Sequence, residues 1–384
     1  MTSRAGGFAL TGSGLTAVLG GAVLLALGLV GGYPTLVALG LGALAAAAIG
    51  LGHVARRPGL TAARGVDDDR VTAGGQARGR ITVANPVRRP APGFDVVDNV
   101  GGVPVRVAVP PLPAGGETVL DYPIPADRRG LLPLGPVRVE RHDPWRLARR
   151  WAPLTGASLL WVHPRSHPTR PLPVGLALDF DGRHAERAGS TAFSSLREYQ
   201  PGDDPRSVHW RSTARLGTLV VRDRVDTREP SVHIVIDAST TAIGVDAFEE
   251  AVSLAASICT AYQRAGRPVG LSAVGEDHAA VSAAGGHSVL DRLAALQRAQ
   301  ADPTALTRLI GRAPAGGGLV VITGGQPEVT DAVAACHRRF WTTVVARIGP
   351  ALPDGLHHRS GIAVLTTATA EHGARLFTQL SGAA

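Results

Sequence analysis

Val232-His233-Ile234-Val235-Ile236-Asp237-Ala238-Ser239-Thr240-Thr241 is the stretch that decides the fold of the C-terminal part of this chain. A short apolar strand runs into a carboxylate and then into a cluster of hydroxyl side chains. Asp246 stands where it can cap the next helix. Phe248, Ala251, Val252, Ala255, Ile258, Cys259 and Tyr262 then recur on one helical face. Further strands are predicted over residues 269–274, 319–322 and 342–346, and helices over 289–299, 328–340 and 369–380. Strand and helix alternating at this spacing predict an open, mostly parallel sheet covered on both faces, here over residues 230–384. Ligand sites on such sheets lie at the carboxyl ends of strands, where Asp237 stands.

Immediately upstream, residues 166–229 read as a linker leading into a dense polar segment, Arg197-Glu198-Tyr199-Gln200-Pro201-Gly202-Asp203-Asp204-Pro205-Arg206-Ser207-Val208-His209-Trp210-Arg211-Ser212-Thr213-Ala214-Arg215. Pro201-Gly202 is a turn signal. Asp204-Pro205 suits an N-cap followed by a first helical residue, and Gly217 a helix stop, so a helix of about ten residues is predicted, followed by a strand at Leu219-Val220-Val221. Arg197, Arg206, Arg211 and Arg215 have Glu198, Asp203 and Asp204 within reach as partners. Bidentate pairs of that kind orient a segment. They suit either an internal clamp or a surface that docks a partner or an anion. His209 has neither a nucleophile nor metal-ligand spacing beside it and reads as a packed histidine.

Residues 60–165 have a different texture. Gly79-Arg80-Ile81-Thr82-Val83 and Val103-Pro104-Val105-Arg106-Val107 alternate apolar and polar residues between Pro and Gly clusters. That pattern predicts an antiparallel, sandwich-like β domain with one buried face per strand. Asp127-Arg128-Arg129-Gly130, Leu134-Gly135-Pro136 and Asp143-Pro144-Trp145 punctuate it as turns.

Residues 1–59 are the most apolar. Two uncharged runs, about 8–30 and 35–55, are separated by Gly31-Gly32-Tyr33-Pro34. Each has the roughly 20 residues a helix needs to cross hydrocarbon, and together they predict a transmembrane helical hairpin. Gly20, Gly21, Gly40 and Gly42 would let the two helices approach closely. Arg4 precedes the first run and Arg56, Arg57 and Arg64 follow the second, whereas the turn carries no charge. Basic flanks favour the cytoplasm. A two-pass inner-membrane protein with both termini and the bulk of the chain cytoplasmic is therefore expected. A cleaved signal peptide fits less well, because the run exceeds a signal core and a second span follows at once.

The chain has 384 residues, 45% of them hydrophobic and only 18% charged, which excludes disorder as a description of the whole. All 39 basic residues are arginine. Lysine Schiff-base chemistry and a lysine-bearing phosphate loop are thus excluded. The net charge of +8 lacks the clustered arginines with interleaved aromatics that would mark a nucleic-acid interface, so no nucleic acid is expected. Cys259 and Cys336 fall in predicted helices without CxxC spacing and read as reduced thiols. HExxH, GxSxG and phosphate-loop motifs are absent.

The run from Arg197 to Arg215 resembles the signature of the bacterial "domain of unknown function 58" family, REY-x-PGD-x-x-R-x-I-x-W-x-x-(S/T)-A-R. Arg197, Glu198, Tyr199, Pro201, Gly202, Asp203, Arg206, Trp210, Ala214 and Arg215 fit it, and the RRG and Asp143-to-Leu147 (DPWRL) elements follow the family layout. The resemblance implies a membrane-anchored protein with a von Willebrand factor A-like doubly wound α/β domain. It also implies a working association with a MoxR-type AAA+ ATPase, with no enzymatic activity established.

Asp237-Ala238-Ser239-Thr240-Thr241 is similar to the D-x-S-x-S metal motif of von Willebrand factor A domains, with Asp237, Ser239 and Thr241 as its ligands. A carboxylate and two hydroxyls on one loop suit Mg²⁺. Elsewhere the match decays. Ser288 is a candidate for the second-loop hydroxyl, and the third loop reads Thr323-Gly324-Gly325, without the family's Asp. The pattern is that of a degenerate metal ion-dependent adhesion site. Either Mg²⁺ is held and its open position takes a partner's carboxylate, or Asp237 bonds the amides of its own loop. The expectation is a non-enzymatic membrane adaptor. The alternatives are an Mg-dependent hydrolase built on the Asp237 loop and a nucleic-acid-binding protein.

Overall fold

The computed structural model describes residues 6–55, 59–172, 195–198, 210–223, 231–276, 281, 285–302, 304–326 and 328–382. The chain divides into two compact units, Met1–His163 and Pro164–Ala384.

The first unit opens with strand β1 (Gly7–Leu10) and helices α1 (Gly12–Gly31) and α2 (Pro34–Ala55). The first apolar run is thus split, and residues 8–10 belong to a strand rather than to the predicted helix. Thr11 ends that strand as the N-cap of α1, its hydroxyl accepting from the Gly14 amide at 3.1 Å. Gly32, in the left-handed region, caps the far end, and Pro34 begins α2. Both helices are long and apolar enough to cross a membrane. Their outward residues, Leu19, Val23, Leu27, Leu39 and Ile49 among them, are exposed and apolar, while Gly21, Gly28 and Gly40 are buried between the helices. A Cβ on Gly40 would meet the Gly21 carbonyl oxygen at 2.7 Å, so glycine sets the helix separation. Of the four glycines expected there, Gly21 and Gly40 lie in the seam and Gly20 and Gly42 face open space; Gly28 joins the seam instead.

Ten more strands complete this unit: β2 (Thr61–Val66), β3 (Arg70–Thr72), β4 (Gln76–Ala84), β5 (Phe94–Val100), β6 (Val103–Val109), β7 (Glu117–Pro125), β8 (Gly130–Leu134), β9 (Arg138–His142), β10 (Ala148–Pro153) and β11 (Ser158–His163). β2, β4 and β7 form a three-stranded sheet. The others form an eight-stranded sheet in the order β1-β10-β9-β5-β8-β11-β3, with β6 on β5. Ile81, Val83 and Ile124 of the small sheet share one core with Val96, Leu134, Val139 and Leu160 of the large one. The predicted alternation appears along β4, where Ala77, Ile81 and Val83 are buried and Arg78 and Arg80 are exposed. The core also holds a polar network. The Tyr122 hydroxyl donates to Asp98, whose other oxygen accepts from Arg64 at 3.3 Å. Burial, and then the bond to Asp98, push the Tyr122 phenol well above its ordinary range.

In the second unit, β12 (Ser195–Glu198) pairs antiparallel with β13 (Val220–Asp223), and α3 (Trp210–Leu216) lies between them in sequence. A six-stranded sheet follows, made of β14 (Val232–Ile236), β15 (Val269–Ala273), β16 (Gly318–Thr323), β17 (Thr342–Ile348), β18 (Gly355–Arg359) and β19 (Ile362–Thr367), in the order β15-β14-β16-β17-β19-β18. All pairings are parallel except β18–β19. Helices α4 (Val245–Arg264), α5 (Val289–Ala295) and α8 (Ala370–Gly382) pack with Ile234, Ile236 and Ile322 on one face. Helices α6 (Ala305–Arg312) and α7 (Glu328–Cys336) pack with Val235, Val321 and Val345 on the other.

Residues 165–172, where a linker is expected, instead lie along α4 and α8. Ser253 donates to the Arg165 carbonyl at 2.8 Å, Ser257 accepts from the His167 amide at 2.8 Å, and Thr169 donates to the Ala374 carbonyl at 3.0 Å. These contacts give Ser253 and Ser257 their partners on the buried face of α4.

Candidate functional site

Asp237 sits at the carboxyl end of β14 with 5% of its surface exposed. Its amide donates to the Ile322 carbonyl of the adjacent β16 at 2.8 Å, which fixes the backbone at the strand exit. One carboxyl oxygen accepts from the Ser239 amide at 3.2 Å and the Ser239 hydroxyl at 2.8 Å. The other accepts from the Thr323 hydroxyl at 3.1 Å. Thr323 ends β16, so the first and third loops are joined through this side chain.

The loops are tied elsewhere as well. Thr240 donates its amide to Ala299, whose own amide returns to Ala238, both at 3.0 Å. Arg298 donates to the Ile243 carbonyl at 3.0 Å and Gln326 to the Thr241 carbonyl at 3.3 Å. A Cβ on Gly324 would fall 1.8 Å from the Ala242 carbonyl oxygen, so the two loops meet where only glycine fits. Arg347, opposite Thr323 on β17, donates to the Gly325 carbonyl.

Of the three expected ligands, Asp237 and Ser239 are buried together, whereas Thr241 is exposed. Ser288 is used otherwise. It caps α5 in a capping box, accepting from the Asp291 amide at 3.0 Å while Asp291 accepts from the Ser288 amide at 3.0 Å. Among the described residues no group of three or more His, Cys, Asp or Glu converges. Mg²⁺ wants near-octahedral oxygen ligands, carboxylates first. A single carboxyl already accepting three hydrogen bonds, with the cationic Arg347 on the strand beside Thr323, does not fit a resident Mg²⁺. The arrangement is that of a loop organiser. Gln326, Arg298 and Arg347 were not singled out from sequence as functional, whereas Thr323 was read as the first residue of the third loop of the metal motif and not as a hydrogen-bond partner of Asp237.

The signature segment divides. Arg197 and Glu198 lie on β12, and Trp210, Arg211 and Arg215 on α3. Tyr199, Pro201, Gly202, Asp203, Asp204 and Arg206, with His209 and most of the predicted ion-pair network, lie outside the described residues. Trp210 is 68% exposed, and Arg211 and Arg215 are exposed beside it. A family described as "Protein of unknown function DUF58" matches residues 195–315.

Over residues 195–315 the chain resembles the DUF58 family. The DUF58 segment runs from β12 through α6 and includes the Asp237 loop, while Thr323 lies beyond it. An uncharacterized protein of Bacillus subtilis, YeaD, is 32% identical over 88 residues, which are 23% of this chain and 21% of the relative, so the chain matches about a fifth of that protein's length. Among solved structures, the CARDB domain of a Pyrococcus furiosus protein is 16% identical, covering 25% of this chain and 92% of its own, with a TM-score of 0.20. A domain of a Methanosarcina acetivorans cell surface protein is 16% identical, covering 28% and 93%, with a TM-score of 0.20. At those scores neither likeness bears on function.

Proposed function

We propose that this DUF58 protein is a membrane-anchored, non-enzymatic adaptor. Its hairpin crosses the inner membrane twice with both ends cytoplasmic. Its C-terminal unit is a von Willebrand factor A-like recognition head that docks a MoxR-type AAA+ ATPase. The parallel sheet with Asp237 at a strand exit supports the kind of head, and the apolar outer surface of α1 and α2 supports the anchor. The observation that carries the docking role is α3, which holds Trp210 exposed between the polar residues of the family signature, with Arg211 and Arg215 beside it. Trp and Arg are the residue types most enriched at binding hot spots. Asp237 organises the neighbouring loops in this reading and coordinates nothing.

Affinity capture from native membranes in mild detergent, read by mass spectrometry, tests the assignment. Wild-type chain is expected to retain an AAA+ ATPase. A Trp210→Ala/Arg211→Glu variant is expected to lose it by tenfold or more, the scale of a hot-spot truncation of about 2 kcal/mol, with an unchanged melting temperature. Repeated captures without any such ATPase, or equal retention by the variant, would remove the assignment.

A further inference from the structure

Residues 141–151 carry four arginines, one aspartate and two tryptophans, Trp145 and Trp151. The β9–β10 turn within this stretch is built by Asp143, which is buried and accepts from the Ala148 amide at 2.6 Å and the Trp145 amide at 3.0 Å. Its carboxyl is therefore occupied by backbone, and the turn projects Trp145, 57% exposed, and Arg146, held at φ 57°.

Both ends of the helical hairpin meet this turn. At the start of α1, Thr11 donates its amide to Leu147 at 2.9 Å and its hydroxyl to the Arg146 carbonyl at 2.5 Å. Near the end of α2, a Cβ on Gly50 would lie 3.2 Å from the Asp143 carboxyl, and Arg150 donates to the carbonyls of Val54 and Ala55. The turn stands where the two helices leave the β sheet.

Among the described residues no carboxylate forms an ion pair with Arg141, Arg146, Arg149 or Arg150. Arg141 and Arg150 face each other directly across β9 and β10, a like-charge pairing that costs stability. Burial, and then the charge of Arg150, lower the Arg141 guanidinium from its ordinary value. The Arg150 Nε is buried without a hydrogen-bond partner among the described residues. Arg149 is exposed and lies over the Trp151 ring, 5.6 Å from its centre.

We propose that this turn is a binding patch for anionic phospholipid headgroups, with Arg141, Arg146, Arg149 and Arg150 receiving lipid phosphates and Trp145 seated in the headgroup layer. The patch rests on the membrane-anchor reading above. Its position at the helix ends puts it at the bilayer surface, where tryptophan favours the interface and arginine the anionic lipid. The bound phosphates supply the charge that the Arg141–Arg150 pairing lacks.

The full chain, inserted into vesicles of equimolar phosphatidylglycerol and phosphatidylcholine and re-extracted in mild detergent, is read by native mass spectrometry for retained lipid. Phosphatidylglycerol is expected to dominate, and rising salt to weaken that preference. An arginine at a charged membrane surface changes partitioning roughly fivefold. Arg149→Gln is therefore expected to cut the preference by about that factor and Arg146→Gln/Arg149→Gln further, while Arg78→Gln/Arg80→Gln on β4 leaves it in place. Equal retention of both lipids, a salt-insensitive preference, or an equal loss in the β4 variant overturns the patch. Chain that alkaline carbonate strips from pure phosphatidylcholine vesicles has not inserted, and that result sinks the anchor and the patch together.

Discussion

Asp237 shows how one buried side chain ties together two loops that sequence places 86 positions apart. Thr323→Val removes a donor and leaves a buried carboxyl oxygen without its partner. A loss of about 1–3 kcal/mol is expected in denaturant unfolding; a variant as stable as wild type would show that the Thr323 bond contributes nothing. His233 carries a pH signature. Burial, and then the charge of Arg292, hold its imidazole below the ordinary value of 6.5. The unfolded chain therefore takes up a proton that the folded chain refuses. The resulting stabilisation is complete above the unfolded value and is lost as pH falls below it toward the folded one. Wild type should lose stability as pH falls from about 7 to about 5, and His233→Asn should lose less over that range. Parallel pH profiles for the two would refute this role. Cys259 is buried and its thiol is pushed up to about 12, chiefly by that burial, whereas Cys336 is partly exposed. Maleimide labelling of folded protein should reach Cys336 and spare Cys259 until denaturant is added, and early labelling of Cys259 would contradict the burial.

At the scale of elements, glycine governs both the helical hairpin and the loop contact. Gly40→Leu places a side chain where the Gly21 carbonyl and the Leu25 backbone stand within 3 Å of a Cβ. The expected result is separation of α1 from α2, read as loss of a Cys crosslink engineered between them, while Gly42→Leu, facing open space, keeps it. The apolar patterning made most elements legible in advance: β4 by its period of two, α4 by its apolar face, and α1 and α2 by length. In the missed β18–β19 hairpin, His357, His358 and Arg359 give β18 no apolar run, whereas Ile362-Ala363-Val364-Leu365 of β19 carry one that was not read as a strand. The hairpin's signal was the Ser360-Gly361 pair, both at positive φ (51° and 80°), as a two-residue turn between strands requires. Helix α6 was missed although Leu306, Leu309 and Ile310 carry the helical spacing. At the site, the carboxylate at a strand exit was legible. Thr323 was legible as the third-loop residue of the motif, but its direct bond to Asp237 was not, because nothing local in a sequence says that β14 and β16 will lie side by side. The packed course of residues 165–172 was hidden for the same reason: their partners, Ser253, Ser257 and Ala374, are set by tertiary contact alone.

The molecule as a whole joins an apolar hairpin, a two-sheet β unit and an α/β unit carrying the DUF58 segment. The proposed arrangement places the hairpin in the inner membrane and everything after it on the cytoplasmic side. Protease added to intact spheroplasts, followed by detection of a C-terminal tag, tests that arrangement most directly. Full-length tagged chain should persist until the membrane is opened and then be digested. Loss of the tag from sealed spheroplasts, with cytoplasmic markers intact, would contradict it.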